Sequence, residues 1–146
     1  MTSLTFAIVM ALCGGIAVAI QGPLASLTGR EVGALGSGLI LHLSGAVIAG
    51  ILVLSTGWHV MAGWTHVPWY ALLGTGATGV VVIAAFSLSV PKLGMTATAS
   101  LIIASQLVAA SLLDHFALLG LAQRPLSPIR IAGMAVLLLG AWMILR

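Results

Sequence analysis

From Val32 to Pro91 the chain carries no Asp, Glu, Lys or Arg. Soluble domains carry about a quarter charged residues, so a stretch like this one cannot be dressed for water. It is also far longer than the roughly 20 apolar residues that cross a bilayer once. The chain must therefore leave the hydrocarbon and return. The turning point is marked by Trp58, His59, Trp64, His66, Trp69 and Tyr70, because tryptophan and tyrosine favour the headgroup layer.

Outside that stretch the sparse charges divide the rest of the chain into runs of spanning length. With 61% of the 146 residues hydrophobic and 5% charged, the pattern predicts an all-α integral membrane bundle. One transmembrane domain, 1–146, holds five helices at about 4–27, 34–55, 69–90, 95–113 and 128–145. The first is expected to kink at Pro23, tolerable where neighbouring helices satisfy the freed carbonyl, and to end in a Thr28-Gly29-Arg30-Glu31 connection. Pro91-Lys92-Leu93-Gly94 reads as a second tight connection, with proline and glycine as breakers. The segment from Asp114 to Ser127 forms the last one, and Pro128 suits the first turn of a helix. Trp142 and Arg146 anchor the final helix at an interface.

The apolar start reaches Ala17-Val18-Ala19, which looks like a signal-peptidase site. Met1-Thr2-Ser3 lacks the basic segment that a secretory signal needs, and the apolar run continues into Ile20, Leu24 and Leu27, so a retained helix is expected. The lone Cys13 has no partner for a disulfide and reads as core packing. His42, His59, His66 and His115 lack metal-site spacing, so neither a metal nor another cofactor is expected. Arg30, Lys92, Arg124, Arg130 and Arg146 are scattered, giving a net charge of +3 without a basic patch. Nucleic acid is not an expected partner, and no enzyme activity is expected.

An odd number of spans puts the termini on opposite sides. Arg124 and Arg130 then face Arg30, Lys92 and Arg146 across the bilayer. That balance is too even for the positive-inside rule to fix one orientation firmly. Insertion in both orientations is the favoured reading. It would pair opposed copies in an antiparallel homodimer, the inverted-repeat arrangement used for alternating access.

Polar side chains at membrane depth are costly and invite a functional reading. His42 and Gln106 should lie ~12–17 Å from the nearer surface at the usual rise. Gln21 adjoins Gly22-Pro23, where helix one is expected to loosen. With Ser37, Ser44, Ser87 and Ser105, these residues are candidates to line a substrate cavity; the alternative is plain hydrogen bonding between helices. Asp114 and Arg130 fall on one membrane side. They could form an orienting ion pair, or Asp114 and His115 could serve coupling or gating. Gly133 and Gly140 share a face beside Ala132 and Ala141 and permit close approach of another helix, within the protomer or from a second copy. Gly74, Gly76 and Gly79 do the same on helix three.

The second half of the chain, PKLGMTATASLIIASQLVAASLLDHFALLGL followed by PLSPIRIAGMAVLLLGAW, resembles the YdcZ family of the drug/metabolite transporter superfamily. Pro91, Gly94, Gln106, Asp114, His115, Phe116, Arg130 and Gly133 match its motifs, and Gln21 matches the first-half glutamine. Ser105 stands where the family has glycine before the glutamine, and Ala117 stands where it has glycine after the phenylalanine. The resemblance implies a five-helix protein of the bacterial inner membrane, equivalent to half of a ten-helix transporter and exporting a small solute.

The leading expectation is thus a homodimeric exporter whose partners are lipid, a second copy of itself and a small-molecule substrate. A non-transporting membrane subunit or assembly factor is the main alternative, and an ion channel a lesser one, since a channel needs rings of charge or carbonyls. With no carboxylate at mid-depth, a neutral or zwitterionic solute is mildly preferred over a bare cation.

Overall fold

The computed structural model describes residues 4–146, so Met1-Thr2-Ser3, on which the signal-sequence argument drew, lie outside the described residues. Among the described residues the regular structure is helical throughout. Helix α1 (Leu4–Thr56) is followed by short 3-10 turns at Trp58–Met61 and Trp64–His66. Then come α2 (Trp69–Leu93), α3 (Met95–His115), a turn at Leu118–Gly120 and α4 (Pro128–Ile144). By length and hydropathy α1, α2 and α3 can each cross a membrane. With 17 residues α4 sits at the lower end of the spanning range.

A straight helix of 53 residues would measure ~80 Å, more than twice a hydrocarbon core. It is not straight. Gly33 (φ 75°, ψ 170°) breaks α1 into arms 4–32 and 34–56, using a backbone region open essentially to glycine alone. The polar segment Thr28-Gly29-Arg30-Glu31, expected as a loop, is helical instead, and the connection shrinks to one residue. Thr28 shows why: its hydroxyl lies 3.0 Å from the Leu24 carbonyl and 3.1 Å from that of Ala25, satisfied within its own helix. Pro23 also lies inside the helix, and Gly33 is the one non-helical residue within α1. Gly94 (φ 79°, ψ 164°) repeats the device between α2 and α3.

The chain divides into two compact units, Met1–Lys92 and Leu93–Arg146. In the first, the arms of α1 and helix α2 meet through small and polar residues, as expected where lipid removes the hydrophobic incentive for helices to associate. Ala25, Ser26, Ser37, Ile83, Phe86 and Ser87 are buried. The hydroxyls of Ser37 and Ser87 both donate to the Ala25 carbonyl, at 3.0 and 2.8 Å. Thr28 and Ser37 hydroxyls are 2.6 Å apart. One carbonyl thereby ties both arms to α2. Gly29 makes the approach feasible, because a Cβ there would fall 2.7 Å from that of Ser87.

The headgroup-type aromatics Trp58, Trp64, Trp69 and Tyr70 are all exposed. In the second unit α3 packs on α4, which Ser127 caps by accepting the Arg130 backbone N–H at 3.4 Å. The Arg146 guanidinium stacks 4.2 Å from the Trp142 ring.

Candidate functional site

Each arm of α1 delivers one polar side chain to the same place. Gln21 from 4–32 and His42 from 34–56 line a cavity of about 290 Å³ with Thr75, Thr78 and Gly79 of α2; Leu41, Val82 and Ile83 complete the wall. That volume is at the small end of ligand pockets. The spacing explains the convergence. Thr75, Thr78, Gly79 and Val82 repeat at helical intervals and so share one face of α2. Gly79 carries no side chain where the His42 ring arrives: an added Cβ would overlap Nε2.

The hydrogen bonds around the cavity have definite directions. His42 Nδ1 lies 2.6 Å from the Gly38 carbonyl. Thr75 donates to the Ala71 carbonyl at 2.7 Å, and Thr78 to that of Gly74 at 2.8 Å. Thr75 and Thr78 are the lining residues that sequence reasoning missed. The signal was available in Thr75-x-x-Thr78-Gly79, a polar pair one turn apart beside a glycine.

The serines take other places. Ser37 and Ser87 serve the Ala25 carbonyl. Ser44 donates to the Leu41 carbonyl at 3.0 Å and borders a smaller cavity of about 160 Å³ with Thr28 and Ser37.

In the second unit Gln106 and Ser105 are exposed on α3. Ser105 donates to the Ile102 carbonyl at 3.0 Å, while the Gln106 amide has no hydrogen bond among the described residues. Gly133 and Gly140 line an open groove of about 370 Å³ with Ser100, Ile103 and Ala141. Nothing lies within 4 Å of where their Cβ atoms would be.

Asp114, His115 and Arg130 gather around the loop from α3 to α4, through backbone rather than charge. The Asp114 carbonyl accepts the Arg124 N–H at 2.9 Å, and the Arg130 guanidinium reaches the Arg124 carbonyl at 3.5 Å. No Asp114–Arg130 ion pair forms among the described residues. His115 Nδ1 accepts the Leu126 N–H at 3.3 Å, its carbonyl accepts from Gln123 at 3.2 Å, and Phe116 packs edge-on against its ring. The three residues close the loop like a clasp. No group of three metal-ligating side chains occurs among the described residues.

No curated protein and no solved structure matches the chain. A family model described as "Putative inner membrane exporter, YdcZ" matches residues 6–143. With apolar helices of spanning length and a match over nearly the whole sequence, the chain is a multi-pass membrane protein that belongs to the YdcZ family of the drug/metabolite transporter superfamily.

Proposed function

We propose that this protein is a small secondary transporter that exports a small solute from the bacterial cell, working as an antiparallel, dual-topology homodimer. The observation that carries the reading is the cavity of Gln21, His42, Thr75 and Thr78. It is a cluster of polar groups on helices that are otherwise apolar; the threonine hydroxyls bond their own helix backbone, and the Gln21 amide and the His42 ring are the members that are costly unless they serve a ligand or a partner. In this reading the two arms of α1 and helices α2, α3 and α4 supply five crossings in one domain, and each polypeptide is half of a ten-helix assembly.

The second unit supports the dimer. Gln106 holds an unpartnered amide midway along a spanning helix, an expensive arrangement in lipid that a polar interior shared with a second copy would relieve. With Ser105, Gln106 then contributes to the substrate path. The groove at Gly133 and Gly140 offers a small-residue surface for helix packing between copies. The loop clasp at Asp114, His115 and Arg130 is assigned to gating or coupling, since opening it would free the start of α4.

The test is flux. Purified protein in liposomes should move a member of a broad panel of small solutes, and Gln21→Leu and His42→Leu should each reduce that flux at least tenfold. Protein that moves none of them, or apolar variants with undiminished cellular function, would favour a non-transporting assembly factor. Cross-linking through Gly133→Cys in a Cys13→Ala background reports whether two copies meet.

A further inference from the structure

Where α3 hands over to α4, both helices carry apolar stripes at helical spacing. Val108 and Leu112 lie one turn apart on α3, and Ile131, Met134 and Leu138 follow the same rule on α4. Stripes of this kind ordinarily close on each other at interior density. Here they stay apart and, with Leu126 of the loop, line an open groove of about 250 Å³. Between Ile131 and Leu138 the groove runs ~10 Å along α4. That is about two-thirds of the ~15 Å depth of one leaflet.

The loop end of the groove carries two arginines. Leu126, in the lining, stands two residues beyond Arg124, and Ile131, also in the lining, directly follows Arg130. The Arg130 guanidinium lies 3.5 Å from the Arg124 carbonyl, which brings one cation to the backbone that bears the other. Asp114 is the one acidic side chain of this unit. Its backbone carbonyl accepts the Arg124 N–H at 2.9 Å, but among the described residues its carboxylate pairs with neither guanidinium. Two cations against one carboxylate leave this end of the unit positive.

We infer that the groove binds one anionic glycerophospholipid, with the phosphate on Arg124 and Arg130 and an acyl chain along Val108, Leu112, Met134 and Leu138. The guanidinium fork matches phosphate oxygens in pairs. An apolar gap forfeits the dispersion contacts of its lining and gives water no polar partners, whereas an acyl chain restores the contacts at no polar cost. A zwitterionic headgroup carries its own ammonium, which offsets the phosphate charge that the arginines would meet. Free phosphate lacks the chain and gains nothing from the groove. The headgroup ties Arg124 to Arg130 and the chain ties α3 to α4, so the lipid fastens the loop that closes this unit. The site is independent of the transport reading, which rests on the cavity of the first unit.

The experiment uses the full chain in detergent micelles, supplied with equimolar phosphatidylglycerol and phosphatidylcholine of identical chains. By native mass spectrometry the first lipid retained should be phosphatidylglycerol, at least fivefold over phosphatidylcholine. Arg124→Gln combined with Arg130→Gln should bring that ratio to about one. Arg30→Gln combined with Lys92→Gln, which removes cations of the other unit, should leave it unchanged. Location is read in the unaltered protein with a diazirine on the acyl chain. The phosphatidylglycerol probe should cross-link to residues 108–112 or 131–138 at least fivefold more than its phosphatidylcholine counterpart. Ala135→Phe, which fills the groove, should reduce this labelling several-fold in protein of unchanged helicity. Inorganic phosphate in hundredfold excess should displace no lipid. Equal retention of the two lipids, a preference that survives loss of both arginines, or labelling confined to other helices would each overturn the proposal. So would undiminished labelling of folded Ala135→Phe protein, or displacement by inorganic phosphate, which would make the site one for a free anion.

Discussion

Gln21 and Gln106 are alike in sequence, each a lone amide within a hydrophobic helix, and the fold treats them differently. Gln21 lines an open cavity with His42 and the exposed Thr75 and Thr78, bordered by three helical segments. Gln106 stands exposed on α3 with no hydrogen bond among the described residues. The first unit gathers its polar group with others; the second leaves its polar group without a hydrogen bond among the described residues. Hydrocarbon offers such an amide no partner, so the two glutamines make different demands on their surroundings.

The sharpest way to break this contrast is to fill the housed site. Gly79→Leu should place a side chain where His42 Nε2 now sits, and solute flux in liposomes should fall by a factor of ten or more while the protein remains membrane-inserted and helical by circular dichroism. Flux unchanged by that substitution would remove the cavity from the transport path. The unhoused site should respond less strongly. Gln106→Leu is expected to lower flux several-fold and to alter cross-linking through Gly133→Cys, whereas a lipid-facing glutamine would be replaced by leucine with no loss.

Smaller effects test the frame that holds the two regions. Gly33→Ala forces a Cβ into φ 75°, ψ 170° and should cost about 1–3 kcal/mol, measured as unfolding by denaturing detergent. Ser37→Ala removes a buried hydroxyl that donates to the Ala25 carbonyl. It should cost about 1 kcal/mol, within the range for polar contacts between membrane helices. Ala117 occupies the left-handed region at φ 51°, ψ 38°, so Ala117→Gly should stabilise the protein by up to about 1 kcal/mol.

That last position shows how far the sequence could be read. Where the family has glycine this chain has Ala117, a departure visible in the residues, but its backbone conformation is a property of the loop. The break between the arms of α1 is visible as a polar interruption within residues 28–33, but which residue turns is not legible from charge. Charge marks where a helix can meet water, while Gly33 marks where the backbone can actually turn. Gln21 and His42 stand out in the sequence as polar residues within apolar runs. Thr75 and Thr78 do not, since a hydroxyl that bonds its own helix backbone is cheap in lipid and looks unremarkable in sequence. The clasp at His115 was hidden for a different reason. Its partners are backbone groups of Leu126 and the side chain of Gln123, and sequence spacing suggested an ion pair instead.

A transport cavity must be an aqueous polar site within the membrane. Thr78 lies ~14 Å along α2 from Trp69, and Val81 is exposed on the same helix outside the cavity lining. In a Cys13→Ala background, cysteines placed by Thr78→Cys and Val81→Cys can be challenged in sealed liposomes with a small, membrane-impermeant methanethiosulfonate reagent. The Thr78→Cys protein should be modified rapidly and the Val81→Cys protein little. Equal inertness at both positions, with reaction only toward a lipophilic maleimide, would contradict an aqueous cavity at this place.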